Sequence, residues 1–105
     1  MTSSIILTIH NKAWLLPRSL EAILRLTNWD DTDIIFVVDG CNDDSLSIVQ
    51  EWCRVNRDIE TTILVTPDLY ETKANNIGIK ESLADYVIIL QDDCIPNDAW
   101  WNLRI

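Results

Sequence analysis

Polar and acidic side chains follow each of four apolar segments of the 105-residue chain. In chain order they are His10 and Asn11, Asp39, Thr66 and Asp68, and Asp92 and Asp93. Carboxylates gathered at one place repel one another, and a divalent cation is the simplest group that offsets the repulsion. Mg²⁺ or Mn²⁺ takes oxygen ligands, commonly one or two carboxylates completed by water and substrate phosphates. If the fold brings these residues together, they predict a metal-assisted site for a phosphorylated ligand.

The four apolar segments have the length and composition of β-strands. They cover residues 5–10, 33–39, 61–66 and 86–91 and are rich in Ile and Val. Their nearly continuous apolar pattern is typical of strands that are buried on both faces of a sheet.

The segments between these strands have helical periodicity. Leu16, Leu20 and Ile23 fall on one helical face, which predicts a first helix with Pro17 in its first turn. Asp44 or Ser45 is predicted to begin a second helix, whose inward residues are Leu46, Val49 and Cys53, and a third is predicted over residues 72–84. Alternating strands and helices predict a mostly parallel sheet with right-handed crossovers, hence a three-layer α/β/α fold.

The last residues predict an incomplete element. Pro96 ends the fourth extended segment, and Asp98 is expected to cap a helix that carries Trp100 and Trp101. The sequence stops inside that helix, where two indoles would lack a partner. We therefore expect a single domain over residues 1–105, truncated after the fourth strand, that forms a homo-oligomer through its exposed face.

The position of the polar residues agrees with a general rule for such folds. In an open parallel sheet, ligands bind beyond the carboxyl ends of the strands, near the point where the strand order reverses. Simpler roles are also typical of these residues. Asp92 and Asp93 match a solvated turn, Asp39 matches a strand entering a turn, and His10 matches an imidazole with one hydrogen bond.

Composition excludes several function classes. The net charge of −9 argues against nucleic-acid binding. Gly40 and Gly78 are the only glycines, so neither the G-x-G-x-x-G nor the G-x-x-x-x-G-K-[ST] phosphate loop can form. Cys41, Cys53 and Cys94 form no C-x-x-C pair and, with a single histidine, make no zinc set.

The same cysteines predict a location. An odd, widely spaced set is typical of free thiols in a reducing compartment, so we expect a cytoplasmic protein, with the inner face of the membrane as a second location. The first residues lack the basic region and cleavage site of a signal peptide. No apolar stretch approaches the roughly 20 residues of a transmembrane segment.

Three segments of the chain resemble a known family. IILTIHNKAWLLPRSLEAIL, DIIFVVDGCNDDS and KANNIGIKESLADYVIILQDDCIP, in this order, are similar to the N-terminal half of family 2 glycosyltransferases with the GT-A fold. The resemblance covers nearly the whole chain. It implies a nucleotide-diphosphate sugar, with a UDP-sugar foremost, Mg²⁺ or Mn²⁺ as cofactor, and inverting transfer of the sugar to an acceptor hydroxyl.

The resemblance also implies roles for the donor-binding residues. Thr8, His10 and Asn11 match the segment after the first strand, whose aromatic residue, usually Tyr, packs on the nucleotide base. Asp39 matches the acidic residue that contacts the base or its ribose. The stretch of Lys73, Ala74, Asn76 and Gly78 matches the place where a basic side chain approaches the diphosphate.

A D-x-D-like motif is implied at residues 91–93. Gln91 replaces its first aspartate and keeps hydrogen-bonding capacity without charge. Asp93 would be the metal ligand, and Asp92 would contact the ribose or the metal. The family's general base, which removes the acceptor's proton, lies downstream of this motif and has no counterpart here. The 105 residues alone are therefore expected to bind a donor and to catalyse little or no transfer.

Other functions remain alternatives. A receiver-like signalling module also places acids at the edge of a parallel sheet, but it needs an acidic pair after the first strand, where this chain has His10 and Asn11. A nucleoside-triphosphate hydrolase fragment would need a phosphate loop. A non-catalytic interaction module is the third alternative.

Overall fold

The computed structural model describes residues 2–103, so Met1, Arg104 and Ile105 lie outside the described part of the predicted domain. Strands and helices alternate along the chain. The strands are β1 (Ser3–Ile9), β2 (Thr32–Asp39), β3 (Thr61–Thr66) and β4 (Tyr86–Gln91). The helices are α1 (Leu16–Leu26), α2 (Ser45–Val55) and α3 (Tyr70–Glu81), and a 3₁₀ turn covers Trp101–Leu103.

The four strands form one parallel sheet in the order β3-β2-β1-β4. Strand β1 lies inside the sheet, where Thr8 is paired with Val37 of β2 and with Gln91 of β4. The chain moves outward from β1 to β3 and then crosses back to place β4 on the other side of β1. Strand order therefore reverses between β1 and β4, and ligands bind beside such a reversal in open α/β sheets.

Helices cover both faces of the sheet. Helices α1 and α2 pack on the face that carries the larger core cluster. Its buried members are Ile5, Leu7, Ile9, Leu16, Leu20, Ile23, Ile34, Phe36 and Val49. Helix α3 covers the other face, where Ala74 packs with Ile6, Ile35 and Val37. The predicted three-layer α/β/α fold is confirmed.

Helix α3 approaches the sheet closely because its inward residues are small. Ala74 and Gly78 are its buried residues. A Cβ atom at Gly78 would lie 2.6 Å from Cγ2 of Ile6 and 3.2 Å from Cγ2 of Val37. A larger residue at position 78 would therefore push α3 away from β1 and β2.

The segment after β4 differs from its prediction. Instead of a helix beginning at Asp98, it forms only the 3₁₀ turn at Trp101–Leu103. Trp101 does have a partner, because its Nε1 donates a hydrogen bond to Oγ1 of Thr27 at 2.9 Å. Trp100, in contrast, is 58% exposed.

None of the helices within residues 2–103 has the length and hydrophobicity needed to cross a membrane. Cys41, Cys53 and Cys94 are free thiols. The cytoplasmic location expected from these cysteines stays a prediction.

Candidate functional site

A cleft of about 320 Å³ opens at the carboxyl edge of the sheet, beside the reversal of strand order between β1 and β4. Residues that follow all four strands contribute to it. The lining consists of Thr8, His10, Lys12, Asp39, Asp68, Tyr70, Glu71, Asn75, Leu90, Gln91, Asp92 and Asp93. The sheet thus gathers at one edge the polar side chains that the sequence places after separate strands.

The structure brings together most, but not all, of the residues predicted to form the site. Thr8, His10, Asp39, Asp92 and Asp93 all line the cleft. The other three predicted residues, Asn11, Lys73 and Asn76, are not in its lining.

Asn11 connects two loops next to the cleft. Its side-chain Oδ1 accepts a hydrogen bond from the backbone N–H of Asn42 at 2.9 Å, and its own N–H donates to Sγ of Cys41 at 3.3 Å. These contacts join the loop after β1 to the loop after β2. Asn11 therefore connects these two loops without lining the cleft itself.

The residues of α3 that line the cleft are Tyr70, Glu71 and Asn75, whereas Lys73 and Asn76 are exposed elsewhere on the helix. Glu71 and Asn75 are four positions apart, which places them on one helical face. The predicted start of this helix at residue 72 left Glu71 outside the helix. In the structure the helix begins at Tyr70, so Glu71 and Asn75 both belong to it and lie on the same face.

Two side-chain hydrogen bonds attach α3 to the ends of β1 and β4. Thr8 donates to Oδ1 of Asn75 at 2.6 Å, and Nε2 of Gln91 donates to Oε1 of Glu71 at 2.9 Å. An aspartate at position 91 would place a second carboxylate beside Glu71. The amide of Gln91 makes a hydrogen bond where two carboxylates would repel.

Asp39 is buried and holds the loop between β3 and α3. Its Oδ1 accepts hydrogen bonds from Oγ1 of Thr66 and from the backbone N–H of Leu69, both at 2.6 Å. Burial by itself raises the pKa of Asp39, but hydrogen bonds from Thr66 and from backbone amides of residues 68–70 outweigh it, and the pKa lies below its ordinary value. Asp39 is therefore an ionised carboxylate inside the protein.

The loop that Asp39 holds has an unusual backbone. Asp68 has a φ of 72° and Tyr70 a φ of 67°, in the left-handed region that non-glycine residues rarely adopt. Gly40, with a φ of 61°, lies against this loop, and a Cβ atom there would be 2.5 Å from Cβ of Asp68. The glycine after Asp39 thus allows the β2 and β3 loops to touch.

His10 lies between the ends of β2 and β4. Its Nδ1 is 2.7 Å from the backbone oxygen of Asp39 and 4.0 Å from Oδ1 of Asp68. Its backbone N–H donates to Oδ2 of Asp92 at 2.9 Å. The histidine side chain is half exposed, so its ring is accessible from the cleft.

Lys12 brings a cation into the acidic lining. Its Nζ donates to the backbone oxygen of His10 at 3.3 Å and lies 3.8 Å from Oδ2 of Asp92. Asp93, the next residue, is exposed at the cleft. Lys12 thus offsets part of the charge of Asp92 and leaves the Asp93 carboxylate open to a ligand.

These carboxylates fit a metal only with help from a ligand. Within residues 2–103, no three His, Cys, Asp or Glu side chains are placed to hold a metal ion by themselves. Asp92 is already hydrogen-bonded to His10, which leaves Asp93 as the more available oxygen donor. One or two carboxylates suit Mg²⁺ or Mn²⁺ when water and substrate phosphates complete the coordination. The donor set therefore fits a cation that binds together with a phosphorylated ligand.

The sequence of this chain matches the model of one known protein family. The model of the family described as Glycosyl transferase family 2 matches residues 4–103. The chain belongs to glycosyl transferase family 2. The resemblance drawn from the three sequence segments is confirmed, and the receiver-like and hydrolase alternatives lose their support.

Several solved structures share the fold of this family 2 chain. The mannosyltransferase PcManGT from Pyrobaculum calidifontis, in complex with GDP-Man and Mn²⁺, is 20% identical with a TM-score of 0.82 over 89% of this chain. TarS 1-349 from S. aureus is 18% identical with a TM-score of 0.81 over 99% of this chain. A structure of TarS 1-349 in complex with UDP has a TM-score of 0.76 at 20% identity, also over 99% of this chain. The predicted GT-A fold is confirmed.

The matched region is only part of those proteins. This chain spans 28% of the PcManGT chain and 30% of the TarS 1-349 chain. No curated protein matches the sequence significantly.

Proposed function

We propose that this chain is the donor-binding part of a glycosyltransferase. It binds a nucleotide-diphosphate sugar, a UDP-sugar foremost, together with Mg²⁺ or Mn²⁺, for inverting transfer of the sugar to an acceptor hydroxyl. The observation that carries the proposal is the acidic cleft beside the β1–β4 reversal in a family 2 chain. The complexes of PcManGT with GDP-Man and Mn²⁺ and of TarS with UDP support it.

The metal would be held by Asp93, with Asp92 beside it. Asp93 is exposed at the cleft, so its oxygens are accessible to a cation that already carries phosphate ligands. When bound, the metal would stabilise the charge that develops on the departing diphosphate. Asp92, which His10 and Lys12 already contact, would keep the loop after β4 in position.

The remaining residues of the cleft would bind the nucleotide. His10 and the loop held by Asp39 would receive the base and ribose, because His10 follows β1, the loop follows β3, and both contact Asp39 at the end of β2. Thr8 would support this part through its hydrogen bond to Asn75. Lys12, which lies in the lining, would approach the diphosphate in place of Lys73, which does not. Asn11 and Asn76 would act through the loops and the helix that carry them.

Calorimetric titration tests the proposal. We expect UDP or GDP to bind with Mn²⁺, and Mn²⁺ alone to bind weakly because the protein supplies too few ligands. Asp93→Asn should remove the Mn²⁺-dependent part of nucleotide binding. The matched control is Asp98→Asn, which removes an exposed carboxylate outside the cleft lining and should leave binding unchanged.

Two outcomes would contradict the proposal. If the folded wild-type chain does not bind the nucleotide, the proposal of donor binding is wrong. If nucleotide binding depends on Mn²⁺ equally in the wild type and in Asp93→Asn, Asp93 is not the metal ligand.

A further inference from the structure

Tyr70 is an aromatic residue of the cleft to which neither the sequence motifs nor the resemblance assigns a role. It lines the cleft at the start of α3, and 76% of its surface is exposed. Large aromatic side chains contribute most to stability when they are buried. This tyrosine contributes little to the core and lies in the wall of a site.

The backbone of Tyr70 is held in a costly conformation. Its φ of 67° lies in the left-handed region, two residues after Asp68 at 72°. Such conformations persist only where the surroundings impose them, and they concentrate at ligand-binding sites. Here the buried Asp39 fixes the adjoining backbone, since its carboxylate accepts a hydrogen bond from the amide of Leu69, the residue before Tyr70.

His10 and Tyr70 line the same cleft, and Asp68 connects the segments that carry them. Oδ1 of Asp68 lies 4.0 Å from Nδ1 of His10, and Asp68 is only two residues before Tyr70. Both aromatic side chains are exposed, and both line the cleft. The segment of residues 66–70 therefore carries a second aromatic ring into the cleft that the imidazole of His10 also lines.

We infer that Tyr70 stacks on the base of the bound nucleotide and is a determinant of nucleotide affinity. This inference rests on the proposed donor binding. A base presents a planar π-face to any aromatic ring, and a phenol ring offers a larger face than the imidazole of His10. The strained loop then has a function, because it holds the ring at the cleft before the ligand arrives.

Titration of UDP and of inorganic pyrophosphate, each with Mn²⁺, tests the inference. Tyr70→Gly suits the positive φ, and Tyr70→Leu keeps side-chain bulk without a ring. Both should weaken UDP binding by about 5- to 100-fold, the range of a lost base–aromatic stack. Pyrophosphate binding should be unchanged because it has no base. Tyr70→Phe should keep wild-type affinity for UDP.

A control variant and a measurement of thermal stability accompany these titrations. Tyr86→Ala removes an exposed tyrosine at the start of β4, at the amino ends of the strands and away from the cleft at their carboxyl ends. This variant should not change UDP affinity. The melting temperature of Tyr70→Gly should equal or exceed that of the wild type, because glycine adopts positive φ without strain.

The outcomes separate this inference from the proposed function. If the wild type binds UDP and both Tyr70→Gly and Tyr70→Leu bind it equally well, stacking by Tyr70 is wrong while donor binding stands. Equal losses of UDP and pyrophosphate affinity would also overturn it, since the effect would then not involve the base. If the folded wild type binds neither ligand, the proposed function fails and this inference fails with it.

Discussion

Lys12 brings a positive charge into a cleft whose lining also carries the carboxylates of Asp39, Asp68, Glu71, Asp92 and Asp93. An acidic cleft repels a diphosphate unless cations lie between the two. A divalent ion and a lysine together would provide this charge. At the scale of single residues, we therefore expect the proposed donor binding to depend on Lys12 as well as on Asp93.

Lys12→Ala is expected to weaken binding of UDP with Mn²⁺ by about tenfold, the loss of one charge-assisted hydrogen bond. Lys73→Ala is the matched control. It removes an exposed lysine of α3 that does not line the cleft and should leave the affinity unchanged. Calorimetric titration of both variants measures the difference. If Lys73→Ala loses affinity and Lys12→Ala does not, Lys73 rather than Lys12 contacts the diphosphate.

At the scale of the elements, the site depends on how Asp39 at the end of β2 fixes the start of α3. Leu69, whose N–H donates to Asp39, is 30 residues away along the chain. The loop and the first turn of α3 carry Asp68, Tyr70 and Glu71 into the cleft. The carboxylate of Asp39 therefore supports several lining residues at once.

This contact predicts a pH dependence of stability. The pKa of Asp39 is lowered in the folded protein, so its stabilising contribution is complete above the unfolded value near pH 4 and is lost as the pH falls through the folded value. Asp39→Asn should lower the free energy of unfolding at neutral pH by about 1–3 kcal/mol, because buried donors lose their charged acceptor. Thermal unfolding between about pH 7 and pH 3 measures both effects.

The difference between wild type and Asp39→Asn should shrink as the pH falls. The pKa of Asp43 is also lowered, since hydrogen bonds from Ser45 and Ala13 outweigh the opposing effect of desolvation, so some acid sensitivity will remain in the variant. Asp98→Asn serves as the control and should unfold as the wild type does. An Asp39→Asn protein with wild-type stability at every pH would show that the loop does not depend on this carboxylate.

At the scale of the whole molecule, one edge of the sheet is incompletely covered. Strand β4 lies at the edge, and its Val87 and Ile89 are 39% and 46% exposed. Leu83 and Tyr86 next to them are also exposed. An apolar edge strand readily pairs with another chain.

We therefore expect the isolated 105-residue chain to self-associate through β4. Ile89→Lys should shift the chain towards monomer, because a charge on an edge strand opposes pairing. Val55→Lys, at an exposed position of α2, is the control and should leave association unchanged. Sedimentation velocity over a range of concentrations measures the state. A monomer at every concentration would contradict this prediction.

The elements and their layers could be read from the sequence because they depend on local patterns. The predicted third and fourth strands, residues 61–66 and 86–91, coincide with β3 and β4. Runs of β-branched residues and helical spacing of apolar ones report which side chains become buried. The rule that ligands bind at the carboxyl ends of parallel strands then placed His10, Asp39 and Asp93 at one edge.

Contacts between distant parts of the chain were decided only by the tertiary structure. Helix α3 starts at Tyr70 rather than at residue 72, and its packing on the sheet brings Glu71 and Asn75 into the cleft lining, in which Lys73 and Asn76 are absent. Gln91 meets Glu71, and Trp101 meets Thr27, through separations of 20 and 74 residues. Hydrophobic periodicity records whether a side chain is buried but not which distant side chain it meets, because that depends on strand order and on how closely the helices pack on the sheet.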